Sequence, residues 1–76
     1  MTAILYGTND CSKCKTAKKY LTEHHVDVVE IKVDEDQSMA DEMIQKSGQM
    51  SVPVIDIDGN IVVGFSPMRL DKLISA

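Results

Sequence analysis

The 76 residues carry 12 acidic against 8 basic side chains, a formal net charge of −4 at pH 7, and 43% hydrophobic residues with two cysteines. Such an acidic balance lacks the basic footprint of a nucleic-acid binder, and no apolar run approaches the ~20 residues that span a bilayer. The segment Met1-Thr2-Ala3-Ile4-Leu5-Tyr6 has neither the basic stretch nor the long apolar stretch of a signal peptide. One small domain is expected, located in the cytoplasm, where thiols are held reduced. In that compartment a close cysteine pair points to catalysis or metal binding rather than to a structural staple. A bond between Cys11 and Cys14 would in any case close too short a loop to stabilise much, so the fold must rest on its apolar core.

Thr2 to Tyr6 is short, apolar and followed by Gly7, the pattern of a buried strand. Thr8-Asn9-Asp10 supplies helix-capping residues before Cys11, and helix-favouring residues continue to about His24. Cys14, Ala17 and Leu21 fall on one face of that helix, with Tyr20 beside them and the lysines at 13, 15, 18 and 19 mostly on the remaining surface. Val26 to Val33 is β-branched and alternates with Glu30 and Lys32, which predicts a second strand. After the acidic connection Asp34-Glu35-Asp36, Ser38 and Asp41 resemble a capping box. A helix follows with Ala40, Met43 and Ile44 inward, stopped by Gly48. Val52–Ile57 and Ile61–Phe65 flank Asp58-Gly59-Asn60, a hairpin signal because glycine supplies positive φ. Ser66-Pro67 opens a last helix whose apolar face is Leu70, Leu73 and Ile74.

The predicted order is β-α-β-α-β-β-α: an α/β domain with a four-stranded mixed sheet flanked by three helices. The first two strands are parallel because a crossover helix joins them, and the final hairpin is antiparallel. Met39, Met43, Met50 and Met68 are read as core fillers, with Met50 and Met68 alternatively on a rim near Pro53. Tyr6 suits either a place near the active loop or the core at the strand end. His24-His25 lies about 15 Å along a helix from Cys14, too far to share one ion with bonds of about 2 Å; no metal site is expected, and a histidine there suits the helix end.

A free thiol with a pKa near 8.5 is only a few per cent ionised at neutral pH, and a helix N-terminus can lower that value to about 7. The shift of roughly 1.5 units corresponds to about 2 kcal/mol. Cys11 is placed to receive it from the first-turn N–H groups, with Lys13 and Lys15 adding positive charge and Asp10 opposing. Cys14, one turn along on the apolar face, is then the resolving thiol. It displaces a substrate that Cys11 has captured as a mixed disulfide. The lysines of this helix otherwise read as a solvated face, or as a surface that attracts an acidic partner.

Tyr6-Gly7-Thr8-Asn9-Asp10-Cys11-Ser12-Lys13-Cys14 resembles the glutaredoxin-like proteins of the thioredoxin fold, and among them the NrdH-redoxins, across essentially the whole chain. Ser51-Val52-Pro53 is similar to the family's Thr-Val-Pro element. This implies a cis Pro53 beside the active disulfide, with the Val52 backbone pairing with an extended substrate. Gly64-Phe65-Ser66-Pro67 is similar to the Gly-Phe-Arg-Pro segment of NrdH-redoxins, so Val52, Pro53, Gly64 and Phe65 are the expected substrate-binding residues. The resemblance implies a monomeric oxidoreductase that reduces protein disulfides, with ribonucleotide reductase as a substrate and thioredoxin reductase as its reductant. No cofactor beyond the Cys11–Cys14 disulfide is implied. Where glutaredoxins have Cys-Pro-Tyr-Cys this chain has Cys11-Ser12-Lys13-Cys14. In place of their glutathione-holding Gly-Gly and acidic pair stands Val63-Gly64-Phe65. Two alternatives stay open: a glutathione-dependent glutaredoxin, and a dimer whose Cys11 residues bridge an iron–sulfur cluster.

Overall fold

The computed structural model describes residues 1–75. Strand β1 (Thr2–Gly7) leads into helix α1 (Ser12–Glu23), strand β2 (Asp27–Lys32), helix α2 (Gln37–Ser47), the hairpin β3 (Val54–Ile57) and β4 (Asn60–Val63), and helix α3 (Pro67–Ser75). The sheet order is β2-β1-β3-β4, with β1 and β2 parallel and the pairs β1–β3 and β3–β4 antiparallel. No helix among the described residues is long and apolar enough to cross a membrane.

Alternation along the strands divides the core between the two faces of the sheet. Ala3, Leu5, Ile55, Ile57 and Val62 pack with Ala17 and Leu21 of α1 and Leu70 of α3. On the opposite face Tyr6 and Val54 pack with Met43 of α2, with Ile4, Ile31 and Ile61 partly buried around them. The hairpin turns through Asp58 and Gly59, both at positive φ (49° and 92°), the requirement of a two-residue turn matched to the strand twist. Asp56 Oδ1 accepts the Gly59 N–H at 2.9 Å and holds that turn. Asn60 therefore belongs to β4 rather than to the loop.

The helix starts differ from the sequence expectation. Cys11 itself is the N-cap of α1, in place of Thr8, Asn9 or Asp10. For α2 the N-cap is Asp36, whose Oδ1 accepts from the Ser38 N–H at 3.0 Å and hydroxyl at 2.6 Å. Ser38 is thus the second helical residue and Asp36 the first anchor, a role its carboxylate fills as well as a hydroxyl does. Gly48 closes α2 in the left-handed conformation, as expected. Met50 and Met68 are 79% and 74% exposed, so of the methionines read as core fillers only Met43 is fully buried.

Tyr6 is buried, but its hydroxyl reaches a polar chain at the rim of α2. It donates to Glu42 Oε2 at 2.6 Å and accepts from Lys46 Nζ at 2.7 Å, and Lys46 also bonds Asp56 Oδ2 at 3.0 Å. Burial and the Glu42 carboxylate raise the Tyr6 pKa, while the Tyr6 oxygen and Asp56 hold Lys46 well above the ordinary lysine value. The chain ties α2 to β1 and β3 by directed contacts where its apolar contribution is small. Tyr6→Phe should lower the urea midpoint, at unchanged denaturant slope, by the equivalent of about 1 kcal/mol.

Three carboxyl groups sit below their usual range: Glu30 beside Lys32 and Lys18, Asp34 under the Asn9 amide, and Asp36 under Ser38. A depressed folded-state value contributes stability above the unfolded pKa of about 4, and that stability is lost as pH falls through the folded value. The thermal midpoint should be flat from neutral pH to about 5 and fall below about 4. Asp36→Asn, which keeps a capping oxygen without the ionisation, should make that fall shallower.

Candidate active site

The paired cysteines lie where β1 hands over to α1. Cys11 and Cys14 are joined as a disulfide with Cα atoms 5.2 Å apart. Cys11 is partly exposed, and Cys14 is buried at 2% exposure on the apolar face of α1. As the N-cap, Cys11 presents its Sγ to the Cys14 N–H at 3.0 Å, so one of the unpaired first-turn amides of the helix points at the sulfur. Lys13 and Lys15 are exposed on the same turn, and Asp10 is exposed before it.

Gly7, read from the sequence as a strand terminator, has a second role. A Cβ built there would lie 2.8 Å from Cys14 Sγ and 3.1 Å from its Cβ, closer than atoms in contact tolerate. The backbone of β1 and the buried sulfur touch across the space a side chain would fill. The loop from Thr8 to Asp10 is held from outside: the Asn9 N–H and side-chain amide both donate to Asp34 Oδ2, at 3.2 and 3.1 Å. The same side-chain amide donates to Glu35 Oε2 at 2.7 Å. Asn9 thus belongs to a clamp on the turn after β2 rather than to a helix cap.

The remaining expected site residues converge through register. β1 pairs with β3 as Tyr6 with Val54, and β3 with β4 as Val54 with Val63, so one further step sets Gly7, Pro53 and Gly64 side by side. The Gly64 N–H donates to the Pro53 carbonyl at 2.8 Å, which continues the ladder past the strand ends. The Val52–Pro53 peptide is cis, as the resemblance implied; Pro53 is buried and Val52 partly so. Gly64 has φ 79°, and Phe65 after it lies against the first core cluster with its ring 5.7 Å edge-on from Tyr20. The Tyr20 hydroxyl donates to the Pro67 carbonyl at 3.3 Å and links α1 to this segment. At the far end of α1, the His24 ring lies tilted against Tyr20, with centroids 4.3 Å apart and 36° between the planes. Neither Gly7 nor Asn9 was legible as a site residue. For Asn9 the partners lie 25 and 26 residues away.

The Glutaredoxin family model matches residues 3–62. The chain is 46% identical over 70 residues to an uncharacterised glutaredoxin-like 8.6 kDa protein in a rubredoxin operon of Clostridium pasteurianum, covering 92% of this chain and 93% of the relative. It is 38% identical over 69 residues to the glutaredoxin-like protein NrdH of Lactococcus lactis, covering 91% and 94%. Among solved structures it superposes on a glutaredoxin from Archaeoglobus fulgidus with a TM-score of 0.88 at 28% identity, covering 97% of this chain and 86% of that one. For the NrdH-redoxin of Escherichia coli the TM-score is 0.83 at 26% identity, covering 96% and 95%. The match over residues 3–62 takes in both cysteines, the crossover and the cis-proline strand, and on that extent the chain belongs to the glutaredoxin family.

Proposed function

We propose that this protein is a dithiol electron carrier that reduces protein disulfides, with ribonucleotide reductase among its substrates and thioredoxin reductase as its reductant. The observation that carries the reading is the N-cap position of Cys11, its sulfur facing the Cys14 amide while Cys14 is buried behind it. In the reduced protein the same position favours a thiolate at Cys11, because an N–H donor and the positive end of α1 meet the charge. That thiolate attacks one sulfur of the substrate disulfide and forms a mixed disulfide, and the other substrate sulfur leaves as a thiolate. The Cys14 thiol loses its proton and attacks Cys11 Sγ. The captured sulfur then departs, and two electrons have passed from the dithiol to the substrate. The protein ends with the Cys11–Cys14 disulfide, which the reductase returns to two thiols, and no further cofactor takes part.

Val52, beside the cis proline, is assigned to pair with the substrate backbone, and Gly64 and Phe65 to border it. The preference for thioredoxin reductase over glutathione is supported by two points. The Escherichia coli NrdH-redoxin is described as having a thioredoxin-like activity profile. This chain also has Val63-Gly64-Phe65 where glutathione-binding relatives have a glycine pair followed by acidic residues.

Three measurements test the reading. NADPH consumption should be rapid with thioredoxin reductase and slow with glutathione and its reductase, and the reverse order would sink the assignment of the reductant. Cys11→Ser should abolish disulfide reduction, while Cys14→Ser should accumulate a mixed disulfide visible as an intact mass adduct. Gly7→Ala, by pushing Cys14 off the backbone, should cost about 1–3 kcal/mol of stability and lengthen the lifetime of the mixed disulfide without preventing its formation.

A further inference from the structure

Beside the cysteine pair the surface carries a second feature, a groove of about 480 Å³ between α1 and β2. Lys15, Lys18, Lys19 and Thr22 follow one another at helical spacing of three, four and seven, so they form a single stripe on α1. Glu23 adds a carboxylate to the α1 side of the groove, and Glu30 and Lys32 form the facing wall. In the parallel register Glu30 and Lys32 pair with Leu5 and Gly7, residues whose side of the sheet is the α1 side. Glu30 is shared between Lys18 at 3.2 Å and Lys32 at 3.1 Å. Lys19 comes no closer than 4.0 Å to Glu23, both side chains being exposed, and Lys15 makes no ion pair among the described residues. The groove therefore holds an excess of ammonium groups in a chain whose formal net charge is −4. Five of the eight basic residues (Lys13, Lys15, Lys18, Lys19 and Lys32) lie on α1 and β2.

Position gives the charge a use. Lys15 is about 6 Å along the helix from Cys11, and Lys19 about 12 Å, at 1.5 Å per residue. Lys32 stands opposite Gly7, which touches Cys14. The groove thus begins at Lys15, one helical turn from Cys11, and its run along α1 to Glu23 matches about four residues of extended chain. Such a trough is too short and too mixed in charge, with Glu30 in its wall, to track a nucleic-acid backbone.

We propose that this groove docks an acidic, extended segment of the protein whose disulfide Cys11 attacks, next to the attacked bond. The proposal rests on the redox reading above and names the kind of partner that reading requires. Complementary charge of this sort raises the encounter rate and sets orientation more than it adds final affinity.

The test uses two peptides that share a Cys-Gly-Gly-Cys disulfide, one followed by four glutamates and the other by four glutamines, reacted with the reduced protein. At low ionic strength the acidic peptide should be reduced about tenfold faster, with the advantage lost in about 0.5 M salt. Lys18→Gln with Lys19→Gln should erase the advantage and leave the rate with neutral hydroxyethyl disulfide unchanged. Arg69→Gln with Lys72→Gln, which removes the same charge from α3, should retain it. Equal rates for the two peptides, or equal losses in both double variants, would overturn the proposal.

A disulfide-free tetraglutamate peptide, titrated into the oxidised protein, should shift the amide resonances of Lys18, Lys19 and Lys32. Those shifts without any reduction of either disulfide peptide would keep the docking surface and remove the redox reading. A DNA oligonucleotide of equal charge shifting the same resonances at equal concentration would instead overturn the assignment to an acidic peptide.

Discussion

The contact between the backbone of Gly7 and the sulfur of Cys14 is the constraint on which the arrangement turns. Because β1 ends in a residue without a side chain, α1 can settle its first buried side chain directly on the strand. That places Cys11 at the helix cap, with the first-turn amide of Cys14 against its sulfur. The preceding residue, Tyr6, points to the other face, where it organises α2. Adjacent positions on one strand therefore set the redox pair and the opposite helix, and a one-residue slip of register would put a phenol where the sulfur must lie.

The two faces of the sheet are held by different means. The α1 and α3 face has the larger buried cluster, fully apolar and continuous from Ala3 to Leu70. The α2 face buries less and adds the chain of Glu42, Tyr6, Lys46 and Asp56, which runs on through Asp56 to the hairpin turn at Gly59. A small domain has few apolar residues to spend on two helical layers, and directed polar contacts at the rim hold the second layer in register.

What could be read from the residues alone follows the range of the forces involved. The hairpin was legible because Asp58-Gly59 encodes its own turn, and α1 because Cys14, Ala17 and Leu21 report a buried face by spacing. Of the site, Cys11 and Cys14 were legible from their separation and from the strand before them, and the cis Pro53 only through a family likeness. Gly7 looked like a stop signal, since its value lies in an approach by a residue seven positions on. Local rules make caps of both Asn9 and Ser38, yet Asn9 turns to partners across the fold and Asp36, one of three successive acids, takes the cap of α2. Met50 and Met68 have apolar composition but sit on loop and helix positions that face water.

The exposure of those two methionines bears on how the molecule meets oxidants. Conversion of a thioether to its sulfoxide makes an apolar side chain polar, which disrupts packing when the sulfur is buried. Met43, enclosed beneath α2, is the residue where that change would damage the fold. Met50 and Met68 already stand in solvent, so a sulfoxide on either adds polarity where water is present and removes no core contact. The protein thus carries its easily reached thioethers where their oxidation is structurally harmless and open to repair.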